Sequence, residues 1–537
     1  MADLIFINGK LHTQNPAIPE ATALAASNGE LIAVGSDEEI LEYALPETRV
    51  IDLEKRLVLP GLTDSHVHFY DWAVGRQQLQ LGGVPSLELS MQKLAQYAGK
   101  TPPGEWIQGF GWIETAWAED RLPTRAELDR AAPHQPVILW RTDLHLAVVN
   151  SLALERAGIT AETPDPPQGL IDRDAFGEPT GVLRDLAINL VSEGIPPVSS
   201  AQRTAAIQEA FTYFHSLGLT GMHDQRIMGG PEGAAAFRTW QQMHAAGEIR
   251  LRVWMNLPGE LLDEAVRLGL MTGYGDDRLR VGHVKFFADG AQGPRTAWML
   301  EPYENDTSTG LPLTPIEEIA AAVEKADAAG LAVCIHAIGD RANRELITVF
   351  EGLQDRQRDG SVSRLLAPHK IEHLQIIRPE DLVRLAKLRV VASLQPLQVT
   401  DDIPIMQPTI GERARFAYPY RTIWETGVPI MFNSDCPVCD PNPFWGMHAA
   451  VTRQRRDGTP EGGWYPEQRV SVEQAVWAYT MGAAIASGQE KRLGSLSPGK
   501  LADLVVVDRD IFTIAPEEIF RAKPVMTVFD GEVVYEG

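Results

Sequence analysis

The chain has 537 residues, of which 44% are hydrophobic, so it can bury the core of one large domain with a satellite or of two or three ordinary domains. Its 72 acidic and 48 basic side chains give a formal net charge of -24, which disfavours nucleic acid and anionic membrane surfaces as partners because like charges repel. Three cysteines exclude a disulfide framework and fit a reducing compartment. The start of the chain lacks the basic region of a signal peptide, and no apolar run reaches the roughly 18 residues of a membrane span. We therefore expect a cytoplasmic protein without membrane contact.

The two ends of the chain share one pattern. Near the start, LIFINGKLHT predicts a strand, an Asn-Gly turn and a second strand, and near the end VMTVFDGEVVYEG repeats the plan with Asp-Gly. An isolated hairpin buries too little apolar surface to be stable in water, so we expect the two ends to meet. The prediction is a small composite β-sandwich domain of residues 1–57 and 491–537.

Between the ends, short apolar runs alternate with longer segments at helical spacing, which is typical of βα units around a parallel sheet. Helices are predicted over IEEIAAAVEKADAAG, whose final glycine favours a helix end, and over PEDLVRLAKL. The apolar runs number eight: LVLPGLTDSHVH, GLTGMHDQ, LRVWMNL, VGHVKFFADG, LAVCIHAIGD, HKIEHLQ, RVVASLQP and PIMFNSDCP. They predict an α/β fold in which residues 58–490 form a (β/α)8 TIM barrel.

The βα alternation is interrupted from about residue 70 to about residue 200 by a segment rich in Pro, Gly and Trp. A structureless loop of that length inside a compact domain is uncommon, so we predict an inserted subdomain. Because it follows the first barrel strand, we expect it over the carboxyl-terminal face of the barrel, where active sites of this fold lie.

Residue types that bind metals fall near the carboxyl ends of the predicted strands. In TDSHVHF, His66 and His68 lie two positions apart, so both side chains leave the same face of a strand. The other candidates lie near the ends of the fourth, fifth, sixth and eighth strands: Lys285, His336, His373 and Asp435. Strand ends converge in a barrel, and a core would favour Val, Ile or Leu at these positions. Together the candidates predict a metal centre at the mouth of the barrel.

With these residues in this order, the sequence resembles the amidohydrolase superfamily. The segments PGLTDSHVHF, KFFADGAQG, IHAIGDRA, IEHLQ and NSDCPV are similar to the third amidohydrolase family, near the N-substituted formamide deformylases. The resemblance covers nearly the whole chain, including both ends. It implies a hydrolase acting on carbon–nitrogen bonds other than peptide bonds, with a small molecule as partner and a homodimer left open.

The resemblance also implies a role for each candidate ligand. His66 and His68 would bind a more buried divalent metal, His336 and His373 a more exposed one, and Lys285 would bridge the two. Bridging requires carboxylation by CO2, because a lysine ammonium is a poor partner for two dications. The alternative is an unmodified Lys285 paired with Asp289, which leaves a mononuclear centre. Zinc suits imidazole and carboxylate donors, with manganese and iron left open.

The implied chemistry is cleavage of an amide-like C–N bond, of N-formyl, N-acyl or carbamate type, by a metal-activated hydroxide. Asp435 would bind metal, accept a proton during attack on the carbonyl and return it to the departing nitrogen. His145, in RTDLHLAVVNS, would donate a hydrogen bond to the developing oxyanion. Leu144 stands where the family usually has glycine, and a structural role for His145 stays open.

Substrate contacts are predicted for four residues: Trp112, His145, Gln292 and Arg295. Trp112 is the preferred member of a set of tryptophans that would line an apolar pocket or, alternatively, form a small core. The other members are Trp106, Trp117 and Trp140.

Two further features of the sequence have open roles. His223, in GMHDQ, is predicted to support the metal ligands from behind. The CPVC tetrapeptide of Cys436 and Cys439 is compatible with redox activity or zinc chelation, but a lone CxxC is weak support for either.

Two other functions also stay open. The same metal chemistry can cleave an ester, lactone or phosphotriester, because it does not dictate the leaving atom. A barrel that has lost catalysis and only binds would lack metal ligands, and no expected ligand is missing from this sequence.

Overall fold

The computed structural model describes residues 1–142, 146–166, 169–196, 198–226, 233–358 and 365–537. The strands of this part of the chain are β1 (Leu4–Ile7), β2 (Lys10–His12), β3 (Glu20–Ala21), β4 (Ala23–Ser27), β5 (Glu30–Gly35), β6 (Arg49–Asp52), β7 (Leu57–Pro60), β8 (Leu62–Val67), β9 (Leu79–Gln80), β10 (Ile107–Trp112), β11 (Val137–Arg141), β12 (Leu146–Val149), β13 (Gly169–Arg173), β14 (Pro179–Asp185), β15 (Leu219–Asp224), β16 (Arg252–Pro258), β17 (Leu279–Phe287), β18 (Val333–Ala337), β19 (His369–His373), β20 (Val390–Leu394), β21 (Ile430–Phe432), β22 (Leu504–Val507), β23 (Pro524–Phe529) and β24 (Glu532–Glu536).

The helices of the same part are α1 (Asp37–Leu41), α2 (Phe69–Arg76), α3 (Leu87–Ala98), α4 (Arg125–Ala131), α5 (Ser151–Ala157), α6 (Asn189–Ser192), α7 (Ser200–Ser216), α8 (Gly233–Ala245), α9 (Leu262–Leu268), α10 (Ile316–Ala328), α11 (Asp340–Arg358), α12 (Pro379–Leu385), α13 (Pro396–Ile410), α14 (Tyr420–Glu425), α15 (Pro443–Thr452), α16 (Val472–Tyr479) and α17 (Met481–Ala486). The chain divides into two compact units, one formed by Met1–Phe69 with Gln208–Gly537 and the other by Tyr70–Ile207.

The first unit contains an eight-stranded sheet in which every strand pairs in parallel with its neighbour. The order is β8-β15-β16-β17-β18-β19-β20-β21. Its strands are buried on both faces, as in β20, where all five residues are buried, and this explains their continuous apolar runs. The prediction of a (β/α)8 barrel with eight strands is confirmed, and both predicted helices form, as α10 and α12.

Hydrogen bonds between the segments at the ends of the first and last strands bring the two edges of this sheet together. The Asp435 amide donates to the His66 carbonyl at 2.9 Å, and the His68 amide donates to the Cys436 carbonyl at 2.8 Å. Below them, the Ser65 hydroxyl donates to the Phe432 carbonyl at 2.8 Å. The carboxyl ends of β8 and β21 are therefore held side by side.

The first predicted barrel strand, LVLPGLTDSHVH, is in fact two strands. β7 pairs with β2 and β22 in a terminal sheet, whereas β8 pairs with β15 in the barrel. Gly61 stands between them, where a Cβ atom would lie 2.1 Å from Thr220 Oγ1. The absence of a side chain at this position allows the chain to pass from one sheet into the other against β15.

Both ends of the chain contribute to the two terminal sheets of the first unit. One sheet has the order β5-β4-β1-β6, and the other has the order β24-β23-β22-β7-β2-β3. Side chains of both sheets share one core that includes Leu4, Phe6, Leu11, Val58, Leu504 and Val528. The expected β-sandwich built from both termini is therefore present, although its predicted limits of 57 and 491 stay predictions.

The prediction of an amino-terminal hairpin is wrong. β1 pairs with β4 and β6, whereas β2 pairs with β3 and β7, so the Asn-Gly turn links the two sheets of the sandwich. Asn8 has the positive φ of 54° that suits such a turn. At the other end of the chain, β23 and β24 do pair as an antiparallel hairpin across Asp530 and Gly531.

The second unit has its own sheet and its own core, as an inserted subdomain requires. The sheet has the order β13-β14-β12-β11-β10-β9, and α3 and α4 pack on each other. Two apolar clusters fill the unit, one around Leu94, Leu128 and Leu139 and one around Leu154 and Ile188. In the described part of the whole chain, no helix is both long and apolar enough to cross a membrane.

Candidate metal centre

Three of the predicted ligands meet where the first and last barrel strands end. Asp435 Oδ1 lies 3.2 Å from His66 Nε2 and 3.4 Å from His68 Nε2. Ligand atoms of these three side chains all lie within 4.8 Å of one another. Asp435 has a left-handed φ of 55°, and the hydrogen bond from its amide to the His66 carbonyl fixes this unusual backbone. The carboxyl ends of β8 and β21 thus present two imidazoles and one carboxylate to a common point.

His373 and His336 extend this cluster across the ends of β19 and β18. The His373 ring lies 5.2 Å from the His66 ring and 4.4 Å from the His336 ring, measured between centroids. His336 Nε2 donates to the Gly290 carbonyl at 3.0 Å, and His373 Nδ1 is 3.0 Å from Gln395 Oε1. A nitrogen that donates a hydrogen bond cannot bind metal at the same time, which leaves Nδ1 of His336 and Nε2 of His373 for that role.

Lys285 is buried on β17, and its ammonium lies 4.9 Å from the centre of the Phe287 ring. In the described part of the chain it forms no ion pair. Asp289, the alternative partner, instead accepts backbone hydrogen bonds from Trp298, Ile338 and Gly339 at 2.8–3.0 Å. The hypothesis that Lys285 pairs with Asp289 is therefore wrong for this structure.

Burial is the largest influence on the pKa values of the site, and neighbouring charges modify it. Burial would raise the pKa of Asp435, but His66, His68 and His373 hold it well below its usual value. Burial lowers the pKa of His336 to about 4, and Lys285 contributes in the same direction. Burial likewise lowers the pKa of His68 and that of His373. At neutral pH these groups carry the lone pairs that a metal requires.

The sequence analysis missed the groups that hold the ligand histidines. Glu372 Oε2 is 2.6 Å from His66 Nδ1. Gln395 holds His373 and is itself fixed because its Nε2 donates to Asn433 Oδ1 at 2.8 Å. The available signal was the charge of Glu372 inside β19, a strand whose five residues are all buried. A buried charge needs a specific partner.

The structure places two of the predicted substrate residues on the loop that follows β17. Gln292 is buried and its Nε2 donates to Thr409 Oγ1 at 2.8 Å. Arg295 is part-exposed and its guanidinium donates to the Glu304 carbonyl at 3.2 Å. Their role toward substrate stays a prediction. His145 lies outside the described residues.

The pocket hypothesis for the tryptophans is corrected by their burial in the second unit. Trp112 is 0% exposed, donates through Nε1 to the Leu139 carbonyl at 3.0 Å and stacks on Trp117 at 5.5 Å. Trp117 is itself buried in the same cluster, and Trp106 and Trp140 pack against the neighbouring one. The alternative reading, a small core, is the one that the structure shows for Trp112.

The side chains of His223 and Cys439 have polar partners outside the set of predicted ligands. The partner of His223 Nδ1 is Lys370 Nζ, at 3.3 Å. Cys436 and Cys439 are buried and form no disulfide, and Cys439 Sγ donates to Asp401 Oδ2 at 3.6 Å. Burial raises the pKa of Cys439 well above its usual value, so its reactive thiolate form is disfavoured.

Comparison with known proteins supplies the family. The amidohydrolase family matches residues 49–535. The chain belongs to this family. A Bacillus subtilis (strain 168) protein named as an amidohydrolase, YtcJ, is 31% identical over 535 residues, which are 99% of each chain. The N-substituted formamide deformylase of Arthrobacter pascens is 28% identical over 552 residues, covering 100% of this chain and 99% of the relative.

A solved structure agrees with this amidohydrolase assignment. An uncharacterized metal-dependent hydrolase from Pyrococcus horikoshii OT3 superposes with a TM-score of 0.79 at 28% identity, over 96% of this chain and 99% of that chain. Together these relationships identify the chain as a metal-dependent hydrolase with an amidohydrolase barrel.

The side chains at the barrel mouth fit a divalent metal. His66 Nε2 is buried and has no hydrogen-bond partner among the described residues, although Asp435 Oδ1 is 3.2 Å away. An unsatisfied buried nitrogen is costly unless another partner binds it. Two imidazole nitrogens and a carboxylate oxygen are a donor set that zinc favours and that manganese and iron also accept.

Proposed function

We propose that this amidohydrolase cleaves an amide-like C–N bond of a small molecule, of N-formyl, N-acyl or carbamate type. The observation that carries the proposal is the convergence of His66, His68 and Asp435 within 4.8 Å at the mouth of the barrel. The similarity to an N-substituted formamide deformylase along the full length of both chains supports this bond type. The same site would act on bonds other than peptide bonds.

We propose that His66, His68 and Asp435 bind one divalent ion, with zinc as the expected metal. When bound, such an ion lowers the pKa of a water molecule and polarises a carbonyl oxygen. His336 and His373 would bind a second ion. Lys285 is buried and forms no ion pair with any described residue, which suits carboxylation, in which its amine nitrogen forms a bond to the carbon of CO2 and loses a proton. The resulting anion would serve both ions.

Asp435 is the proposed proton carrier. Its pKa lies well below the usual value, so the carboxylate is ionised at neutral pH and can accept a proton from the attacking water. The same oxygen would then return the proton to the departing nitrogen, which must leave as a neutral amine. His145 would donate to the developing oxyanion, and Gln292 and Arg295 would contact the substrate.

The test is a hydrolysis assay with matched pairs of compounds that differ only in the leaving atom: an N-formyl or N-acyl amine, a carbamate, and the corresponding esters and lactones. We expect turnover of at least one nitrogen compound and slower or no turnover of its oxygen counterpart. Turnover confined to esters or lactones would contradict the proposed bond type. Turnover of none of them would leave no support for the proposed substrate class.

A variant assay tests the proton carrier. We expect Asp435→Asn to lower kcat by about 100-fold to 10,000-fold, because the amide cannot accept the proton. Asp327→Asn is the control. Asp327 is a buried carboxylate on α10 that lies beside His369, away from the predicted ligands. Full activity of Asp435→Asn would refute the assignment.

A further inference from the structure

A row of buried polar groups lies behind His66, on the side opposite Asp435. Glu372 Oε2 is 2.6 Å from His66 Nδ1. The other oxygen, Oε1, is 3.6 Å from Lys370 Nζ and accepts a hydrogen bond from Gln225 Nε2 at 3.4 Å. Lys370 Nζ in turn lies 3.3 Å from His223 Nδ1. Lys370 and Glu372 are both 0% exposed.

The donors and acceptors in this row determine one another. A carboxylate only accepts hydrogen bonds and an ammonium only donates them. Glu372 therefore requires His66 Nδ1 to carry a proton, and Lys370 requires His223 Nδ1 to offer a lone pair. In a neutral imidazole with a protonated Nδ1, the lone pair belongs to Nε2. His66 Nε2 is the atom 3.2 Å from Asp435 Oδ1, at the proposed metal position.

We propose that Glu372 is a positioning residue for the metal site, which fixes the tautomer and the ring orientation of His66, and that Lys370 and Gln225 hold Glu372 in place for this task. The inference rests on the proposed role of His66 as a metal ligand. His223 completes the row because its Nδ1 accepts a hydrogen bond from Lys370, which in turn contacts Glu372.

The isosteric change Glu372→Gln is unusually informative here. The side-chain amide has one acceptor oxygen and one donor nitrogen, and two donors, Lys370 Nζ and Gln225 Nε2, lie on the Oε1 side. The amide oxygen will face those donors, so the amide NH2 will face His66 Nδ1. His66 must then accept at Nδ1 and carry its proton on Nε2, where it cannot bind metal. A side chain of the same shape thus imposes the wrong tautomer.

The experiment measures Zn2+ affinity of the full-length chain by competition with a chromophoric chelator. We expect Glu372→Gln to weaken Zn2+ binding about 10-fold to 100-fold, the usual effect of losing a group that orients a ligand histidine. The control Asp327→Asn makes the same acid-to-amide change beside a different histidine, His369, which lies on the same strand as Glu372. This variant should bind Zn2+ like the wild type. Equal affinity of Glu372→Gln and wild type would overturn the inference.

Two further readouts keep the outcomes distinct. If the wild-type chain binds no Zn2+, the proposed metal site itself fails, whereas an unaffected Glu372→Gln variant refutes only the positioning role. Should Glu372→Gln not fold, nitrogen-15 NMR of the Zn2+-loaded, histidine-labelled wild type decides. We expect the signal of His66 Nδ1 to show a bound proton, and this signal is assigned because it is missing from the spectrum of His66→Gln. An unprotonated Nδ1 would overturn the inference.

Discussion

His66 is the residue on which the geometry of the site converges. One of its ring nitrogens faces Glu372 at 2.6 Å and the other faces Asp435 at 3.2 Å. Burial and Lys285 lower its pKa, but the two carboxylates outweigh them, so the pKa is raised above 6.5. Wherever His66 holds two protons, binding of a metal at Nε2 must displace one of them.

This competition predicts a pH dependence of metal affinity. As the pH falls below the pKa of His66, protonated His66 becomes the dominant metal-free form, and the affinity for Zn2+ should fall about tenfold per pH unit. Above that pKa the curve should flatten, because the proton is already lost. Chelator competition at several pH values from acidic to mildly alkaline measures the curve. An affinity independent of pH across this range would contradict the proton competition.

Some residues of the site could be predicted from the sequence and others could not. His66 and His68 follow from the two-residue period of a strand, and Asp435 follows from the position of its run as the last strand. Glu372 was missed because its partner is 306 positions away in the chain, so the local pattern shows a charged residue in a strand but not the group that it pairs with. Trp112 was misassigned because an aromatic residue next to a glycine fits a core as well as it fits a pocket.

At the scale of elements, the connections between sheets were the least predictable features. Within the run from Leu57 to His68, the Pro60-Gly61 pair is a local signal of a break, but it does not show that the two halves belong to different sheets. The Asn-Gly turn after β1 has the same difficulty. The turn forms, but tertiary pairing assigns its two flanking strands to different sheets.

The Gly61 junction predicts a cost for any added side chain. In Gly61→Ala, the new Cβ would lie 2.1 Å from Thr220 Oγ1 and 3.0 Å from Asp503 Cβ, so the strands must shift apart. We expect a loss of about 1–3 kcal/mol in the free energy of unfolding, as for other overpacked cores. Thermal denaturation measures it. Gly293→Ala, where nothing lies within 4 Å of the added Cβ, is the control, and equal melting temperatures of the two variants would contradict the packing argument.

At the scale of the whole molecule, charged groups connect the terminal sandwich with the barrel inside the first unit. Arg252 on β16 donates to both carboxylate oxygens of Asp503, each at 2.8 Å, and to Asp530 at 2.9 Å. Arg252 and Asp503 are both buried. The carboxyl-terminal part of the sandwich thus meets a barrel strand through a desolvated ion pair, in addition to the apolar contacts within the sandwich.

Removing one partner of this pair should be costly. Asp503→Ala leaves Arg252 buried with a reduced set of acceptors, and we expect a loss of about 3–5 kcal/mol in the free energy of unfolding. Glu536→Ala is the matched control, since its partner Arg49 is exposed and such surface pairs contribute about 0–1 kcal/mol. Denaturation of both variants compares the two. If Asp503→Ala loses no more free energy of unfolding than Glu536→Ala, the buried pair does not stabilise the contact between the sandwich and the barrel.

The metal content of the purified full-length chain is the most direct measurement of the central claim. Elemental analysis compares the wild type with the double variant His66→Gln and His68→Gln, which is changed at the proposed site, and with the control Asp327→Asn, which is changed elsewhere. We expect at least one divalent ion per wild-type and control chain and a loss of at least one ion in the double variant. A wild-type chain that binds no divalent ion even after Zn2+ is supplied, or a double variant that retains all of its metal, would contradict the claim that these side chains form the metal centre.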